Sequence, residues 1–207
     1  TLPPSVARFA QAQREGGVGA EALAELRAGR KRSHWVWFVL PNVAGLGSSA
    51  TARAFAVADR GEAEDFLAAG ELRGNLRDAL EAVEVWARKG RPRLDVVMGS
   101  AVDTRKLVSC CVLFEAVAGE VLRRDPRVDA ADEYRRIQKA CRVILDAAEK
   151  QGWGSCAHTR EVVGGWYAAL IIPTAAQEED ADHPHAAVVT PSQEEREEVQ
   201  AALEKLE

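Results

Sequence analysis

Residues 29–49 of the chain read GRKRSHWVWFVLPNVAGLGSS. The stretch holds three consecutive basic residues, one of the four histidines, two of the five tryptophans and a loop of glycine and serine. Its centre, residues 35–40, is almost wholly apolar but too short for periodicity to separate a buried strand from a buried helix. We expect this centre to be the core segment on which helices pack. The basic residues 30–32 are expected to be solvated, and residues 30–34 and 45–49 form the polar ends that can face a ligand.

The sequence around this stretch predicts helices almost throughout. In the longest amphipathic run, Leu72, Leu76 and Leu80 recur every four residues, which is the spacing of one helix face. Residues 94–98 are short and ambiguous between strand and helix. About nine helical segments and at most two doubtful strands give an all-α fold, with a single compact multi-helix domain over residues 5–172. The predicted helices start at Ser5 and then cover residues 21–28, 50–58, 61–69, 71–89, 103–123, 129–151 and 159–172.

The acidic balance of the chain comes from its C-terminal end. Residues 176–207 carry ten Asp and Glu against two Lys and Arg, whereas the whole chain has a net charge of −5, so the remainder sums to +3. A net charge of +3 is too weak to indicate nucleic-acid binding. Residues 173–191 lack periodicity and are predicted to be a disordered acidic linker. Residues 192–207 begin with a capping-box pattern and are predicted to form an acidic helix that docks on the body or binds a protein partner.

The composition of the chain also limits its expected cellular location and its expected cofactors. No apolar run approaches the ~20 residues that a membrane span needs, and residues 1–20 lack a signal-peptide pattern. We therefore expect a cytoplasmic protein, or an organellar one if a presequence has been removed. The four cysteines form no CxxC pair, so we expect reduced thiols, no metal site and no cofactor. Cys141 and Cys156 would come close if the last two helices pack antiparallel, which leaves reversible oxidation as an alternative to inert core thiols.

Several short motifs resemble a known family. The longest is GRKRSHW at residues 29–35, followed by Trp37-Phe38 and GLGSS at 45–49. Together with weaker matches before and after, the pattern resembles the domain-of-unknown-function family 1810 over about residues 6–165. The resemblance implies an α-helical fold and no established activity. The family pattern usually has Gln where this chain has Asn42, and the acidic C-terminal end is outside the resemblance.

The loop GLGSSAT at residues 45–51 is the first candidate for a binding site. Glycine lets the backbone approach a ligand, and a helix start offers free N–H groups to a phosphate or carboxylate. The loop lacks the lysine of a P-loop and the spacing of a dinucleotide fingerprint. A tight turn in which Ser48 or Ser49 caps the next helix explains the same residues.

Two further segments carry candidate chemistry. His34, beside three basic residues, can donate a proton or bind an anion, or it can be a structural histidine bonded to a backbone carbonyl. The indole of Trp37 can stack on a base or belong to the core.

Asp103 and Lys106 lie three residues apart on a predicted helix, so their side chains are adjacent. There the carboxylate can orient His34 or a ligand hydroxyl while the lysine binds a phosphate, or the two can form a helix cap and a surface ion pair.

These segments predict one polar, basic cleft. The main hypothesis is a binding or regulatory module for a phosphorylated or nucleotide-like small molecule. One alternative is a hydrolase or glycosidase that uses Asp103 or His34 as its acid–base group, and another is an interaction domain that acts through residues 192–207. The predicted ligand-binding residues are Arg32, Ser33, His34, Trp37, Gly45, Gly47, Ser48 and Lys106.

Overall fold

The computed structural model describes residues 2–168. Within that range the chain is built from α-helices and one pair of very short strands, so the all-α prediction is confirmed. Two 3-10 turns, Pro4–Val6 and Glu15–Gly17, flank the first helix. The helices are α1 Ala7–Arg14, α2 Val18–Arg27, α3 Val36–Val39, α4 Ala50–Ala54, α5 Arg60–Ala68, α6 Gly70–Lys89, α7 Leu94–Val97, α8 Ala101–Arg124, α9 Ala131–Lys150 and α10 Ala157–Ala168, and the strands are β1 Asn42–Val43 and β2 Ala56–Val57.

Helix α8 lies at the centre of the fold. Its first turn is capped by Ser100, whose Oγ accepts the N–H of Asp103 at 3.0 Å. Every residue from 107 to 114 is buried, as expected for a helix that is surrounded by protein on all sides. Helix α9 packs along α8 and α6, while α5, α7, α10 and β1 also contact α8. The central helix therefore touches both the segment before α4 and the last described helix.

The five phenylalanines of the chain form a continuous core cluster. Phe9 of α1 packs edge-on against Phe66 of α5 at 5.2 Å between ring centroids, and Phe66 lies 5.3 Å from Phe114 of α8. Phe55 bridges Phe9 and Phe38 at 5.8 and 4.9 Å. Such aromatic pairs add about 0.5–1.5 kcal/mol beyond their buried area. The cluster anchors the apolar centre of the opening stretch, which forms helix α3 rather than a strand.

The strand pair is the main departure from the predicted elements. The helix expected over residues 50–58 ends at Ala54, and β2 then pairs in parallel with β1, with Asn42 opposite Ala56 and Val43 opposite Val57. Beside this strand pair, the guanidinium of Arg8 donates hydrogen bonds to Ala54 O at 2.7 Å and to Ala56 O at 2.9 Å. Because this contact spans more than 40 residues of sequence, no local pattern reveals it.

Residues 94–98, ambiguous in sequence, contain helix α7. Among residues 2–168, no helix is both long enough and apolar enough to cross a membrane. The predicted linker at 173–191, the predicted helix at 192–207 and the end of the predicted domain at residue 172 lie outside the described residues.

Candidate functional site

An ion-pair cluster joins the opening stretch to the start of α8. Lys31 Nζ lies 2.7 Å from Asp103 Oδ2, and Lys106 Nζ lies 2.9 Å from Asp103 Oδ1. Lys31 is only 8% exposed, so the expectation of a fully solvated basic run is wrong at this residue. Burial raises the pKa of Asp103, but the hydrogen bonds and charges of Lys31 and Lys106 outweigh it and the net pKa is below the usual value. The carboxylate therefore stays ionised at neutral pH.

Glu25 of α2 fixes the basic end of the opening stretch. Its carboxylate accepts the backbone N–H groups of Arg32 and Ser33 at 2.8 and 3.0 Å, the hydroxyl of Ser33 at 2.9 Å, and the indole N–H of Trp35 at 2.8 Å. Burial raises the pKa of Glu25, but these hydrogen bonds, led by that from Arg32, bring it below the usual value. Sequence reasoning missed this role, because all the donors lie seven to ten residues away in a loop whose path is not encoded locally.

The two tryptophans of the stretch each lie beneath a lysine. Trp35 is 1% exposed, and Lys31 Nζ lies 5.2 Å from its ring centroid. Trp37 is half-buried, with Lys106 Nζ 4.2 Å from its ring. On its other side, Trp37 contacts the glycine loop: a Cβ on Gly47 would lie 2.8 Å from Trp37 Cη2. Trp37 is thus a packing element between the loop and the ion-pair cluster.

The glycine loop is held by a histidine from α10. His158 Nε2 lies 2.9 Å from Ala44 O, and a Cβ on Gly45, whose φ is +90°, would come within 2.9 Å of the same nitrogen. A histidine contact with a backbone carbonyl, which was one of the two interpretations of His34, is therefore made by His158. His34 is exposed and makes no hydrogen bond or ion pair with residues 2–168.

The serines at the end of the loop have structural contacts. Ser49 Oγ accepts the N–H of Ala52 at 3.1 Å and caps α4. Ser48 is exposed, and its carbonyl accepts from Arg53. Because α4 spans only five residues, its N-terminus is a weak dipole. These contacts match the interpretation of this segment as a tight turn with a serine cap.

A cleft of about 380 Å³ opens between β1, the first turns of α8 and the segment that leads into α10. Among its lining residues are Asn42, Leu46, Arg105, Lys106, Val108 and Trp153. Of the predicted ligand-binding residues, Lys106 lines this cleft. Lys106 Nζ lies 4.2 Å from the ring centroid of Trp37, which contacts Gly47, and 2.9 Å from Asp103 Oδ1. The other seven predicted residues are outside the cleft lining: Arg32, Ser33, His34, Trp37, Gly45, Gly47 and Ser48.

Two buried polar atoms of the cleft lining lack partners. Asn42 is 1% exposed, and its Nδ2 donates to Leu40 O at 2.7 Å. Because a carbonyl oxygen only accepts hydrogen bonds, this contact fixes the orientation of the amide and leaves Oδ1 as the other end. Asn42 Oδ1 and Trp153 Nε1 have no hydrogen-bond partner among residues 2–168. Both atoms are closed to solvent, as are the unpartnered polar atoms of Arg73, Asp95 and Tyr167 outside the cleft, so a ligand in the cleft does not reach them in this conformation.

The positive charge at and beside the cleft is only partly neutralised. Arg105 is exposed and forms no ion pair or hydrogen bond within the described part of the chain. Lys31 and Lys106 share the single carboxylate of Asp103. These four residues therefore carry a formal charge of +2 at neutral pH.

The cysteines do not supply a site of their own. Cys110, Cys111 and Cys141 are fully buried and form no disulfide. Burial raises the pKa of Cys110 and Cys141 well above the usual value. Cys156 instead accepts from Thr159 Oγ1 at 3.1 Å at the cleft. No group of three or more His, Cys, Asp or Glu side chains suited to a metal is present among residues 2–168.

Comparison with known families identifies the family of the chain. The profile of the family described as protein of unknown function (DUF1810) matches residues 3–133. The chain belongs to this family. The match covers the opening stretch, Asn42 and the start of α8, so the predicted resemblance is confirmed; it ends before Trp153, which forms the opposite side of the cleft.

One solved structure has a similar fold. The conserved hypothetical protein Rv1873 from Mycobacterium tuberculosis has 27% sequence identity and a TM-score of 0.56. The alignment covers 77% of this chain and 96% of that one. No curated protein matches the chain. The structural neighbour therefore supports the fold, and neither comparison names an activity.

Proposed function

We propose that the protein is a binding or regulatory module for a small anionic molecule, of the phosphorylated or nucleotide-like class, which occupies the cleft between β1, α8 and Trp153. The observation that carries this proposal is a cleft of about 380 Å³ that is lined by Lys106 and by Arg105, which forms no ion pair or hydrogen bond within residues 2–168. An anion in the cleft gives Arg105 a charge-assisted hydrogen bond that the free protein lacks.

Electrostatics supports an anion. Lys106 and Arg105 line the concave surface, and Lys31 and Asp103 adjoin Lys106, so the four residues together contribute a formal charge of +2 beside the cleft. A concave surface with low-dielectric walls focuses such a charge and attracts ligands of opposite sign. Asp103 acts in this proposal as a positioning residue, because it holds the ammonium of Lys106 at the cleft.

The alternative of a hydrolase or glycosidase has less support. A general acid needs a raised pKa, whereas two lysines keep the pKa of Asp103 low. His34 is exposed, and no contact within the described residues connects it to Asp103. The interaction hypothesis concerns residues 192–207, outside the described part, and remains a prediction.

Four free thiols support the expected cytoplasmic location.

Thermal-shift and calorimetric titrations test the proposal. The probes are inorganic phosphate, ribose 5-phosphate and the four common nucleoside 5′-monophosphates. A probe at 100 times its dissociation constant should stabilise the protein by about 2.7 kcal/mol. Arg105→Gln should weaken binding at least ~10-fold, because a charge-assisted hydrogen bond is worth about 1.5–3 kcal/mol.

Arg27→Gln is the matched control. Arg27 is exposed on α2, has no ion pair among the described residues, and does not line the cleft. Its substitution should leave every affinity unchanged. The proposal is overturned if none of the probes binds, or if Arg27→Gln weakens binding as much as Arg105→Gln does.

A further inference from the structure

The cleft of the proposed site is lined by two kinds of side chain, cationic and apolar. We infer, resting on the proposed function above, that its ligand is a phosphate monoester that carries a short apolar group, an alkyl or aryl group without hydroxyls. The phosphate binds Arg105, and the apolar group covers Val102 and the other apolar side chains of the cleft. This assigns Val102 as a residue that determines specificity.

Cationic and apolar side chains are neighbours on one face of α8. Val102, Arg105 and Lys106 occupy positions i, i+3 and i+4 of this helix, so their side chains adjoin on its surface. Val108 follows Arg105 by three residues and lies on its other side. All four residues line the cleft. An anionic group at Arg105 therefore has an apolar side chain next to it in both directions along the helix.

Val102 exposes more of its surface than a packed valine does. Three large apolar side chains are exposed within residues 2–168, and they are Val102 at 58%, Val96 at 50% and Val85 at 47%. Among them, Val102 alone lines the cleft, together with Leu46 and the ring of Trp153. Covering such apolar surface removes it from water and favours binding in proportion to the area covered.

The uncharged polar side chains of the lining offer little to a ligand that carries hydroxyls. The buried hydroxyl of Ser109 pairs with Thr159 Oγ1 at 2.8 Å, and Ser155 Oγ accepts from Arg160 Nε at 2.9 Å. Asn42 Oδ1 is closed to solvent. The hydroxyls of a sugar phosphate would therefore lose hydrogen bonds to water and gain few side-chain partners in the cleft. An apolar group has no such cost.

The size of the cleft favours a short apolar group. Its volume of about 380 Å³ is near the lower end of the range for small-molecule sites, which is about 300–1,000 Å³. We therefore expect a group of a few carbon atoms, such as a butyl chain or a phenyl ring, rather than a long acyl chain.

Calorimetric titration of the full chain with phosphate monoesters tests the inference. The probes are methyl, butyl and phenyl phosphate, compared with inorganic phosphate and ribose 5-phosphate, which lack an apolar group. Butyl and phenyl phosphate should bind at least ~10-fold more tightly than ribose 5-phosphate, because each fully buried methylene tightens binding about 4-fold. 1-Butanol, which lacks the phosphate, should bind at least ~10-fold more weakly than butyl phosphate, because it makes no charge-assisted hydrogen bond with Arg105.

Val102→Ser separates the apolar contact from the charge. It should weaken the binding of butyl and phenyl phosphate at least ~3-fold, because it removes methyl groups from the cleft, and it should leave inorganic phosphate unaffected. Val85→Ser is the matched control, since Val85 lies on α6, is 47% exposed and does not line the cleft. Because both valines are exposed, neither substitution empties a core position. Val85→Ser should leave every affinity unchanged.

The possible outcomes distinguish this inference from the proposed function. If butyl and phenyl phosphate bind no more tightly than ribose 5-phosphate, the apolar group is wrong while the proposed function stands. The same conclusion follows if Val102→Ser weakens their binding no more than Val85→Ser does. If 1-butanol binds as tightly as butyl phosphate, the anion site of the proposed function is wrong. If no probe binds, both fail.

Discussion

The ammonium of Lys31 lies 2.7 Å from the Oδ2 atom of Asp103, and their side chains are only 6% and 16% exposed. The contact ties the segment before Trp35 to the first turn of α8. Two residues that the sequence placed among solvated charges and candidate catalytic groups thus form a mostly buried bridge between distant parts of the chain. Neutralising either partner leaves the other charge with a large desolvation cost.

Asp103→Asn should destabilise the fold by about 2–3 kcal/mol, because it leaves the buried ammonium of Lys31 without its counter-ion. Urea unfolding of the ligand-free protein measures the effect. Asp146→Asn is the control: Asp146 pairs with Lys150, but the side chains are 63% and 73% exposed. Its loss should cost less than about 0.5 kcal/mol. Equal effects of the two substitutions would contradict the buried bridge.

The same pair predicts an acid-sensitive contribution to stability. The pKa of Asp103 is lower in the folded state than its usual value. Its stabilising effect is therefore complete above the unfolded-state pKa of about 4 and is lost as the pH falls through the lower folded-state pKa. The difference in unfolding free energy between wild type and Asp103→Asn should shrink below about pH 4. A difference that stays constant down to pH 2 would argue against an ionised Asp103 as its source.

Glu25→Gln should destabilise the protein by about 2 kcal/mol. The substitution removes a carboxylate that accepts from Arg32, Ser33 and Trp35, and it places an amide donor against other donors. Urea unfolding followed by tryptophan fluorescence measures the loss. Glu21, exposed on the same helix, has no hydrogen bond among the described residues, so Glu21→Gln should change stability by less than about 0.5 kcal/mol.

Gly47→Ala should destabilise the ligand-free protein by about 1–3 kcal/mol. A Cβ at this position would lie 2.5 Å from Ala52 Cβ and 2.8 Å from Trp37 Cη2, so the loop and the tryptophan must separate. Gly74 within α6 is the matched control, since its Cβ would meet nothing within 4 Å. Gly74→Ala should stabilise the protein by about 0.5–1 kcal/mol. If Gly47→Ala is harmless to stability, the glycine is kept free for a ligand rather than for packing.

Thiol labelling should separate Cys156 from the other cysteines. A thiolate is the reactive form, and Cys110, Cys111 and Cys141 are fully buried with raised pKa values. A small disulfide reagent at pH 7.5 should modify one thiol per native molecule and four in denaturant. Cys156→Ser should remove the native signal. Rapid modification of two or more thiols in the folded state would reopen the redox alternative.

Local pattern was enough to predict the fold class. The helices α6, α8 and α9 are long, and their apolar residues recur at helical spacing, so sequence placed each of them within two residues at either end. The short segments were harder. Residues 35–40 are all apolar, and residues 94–98 are apolar except for Asp95, so periodicity does not distinguish a strand from a helix there. The folded structure shows that both segments contain a helix. The pairing of β1 with β2 depends on the distant Arg8, which lies outside any local window.

The candidate site divides in the same way. Sequence reasoning named Lys106, which lines the cleft, and also Trp37, Gly47 and Asp103, which do not line it. It missed Asn42, Arg105 and Trp153, because an amide, an exposed arginine and an indole become informative only when their hydrogen-bond partners are known. It also singled out His34, which has no contact of this kind, and not His158, which binds the carbonyl of Ala44. The absence of a partner for a buried atom is a property of the folded molecule alone.

The sequence by itself determined the helical class, the central role of the opening stretch and the family. The physical reason is that helix periodicity, glycine stops and a long specific motif are properties of neighbouring residues. Only the tertiary structure decided that the buried Lys31 is neutralised by Asp103, that Glu25 and His158 hold the two polar ends of the stretch, and that a cleft forms between β1 and Trp153. Those features arise between residues that are distant in the chain, where burial and pairing depend on how the helices pack.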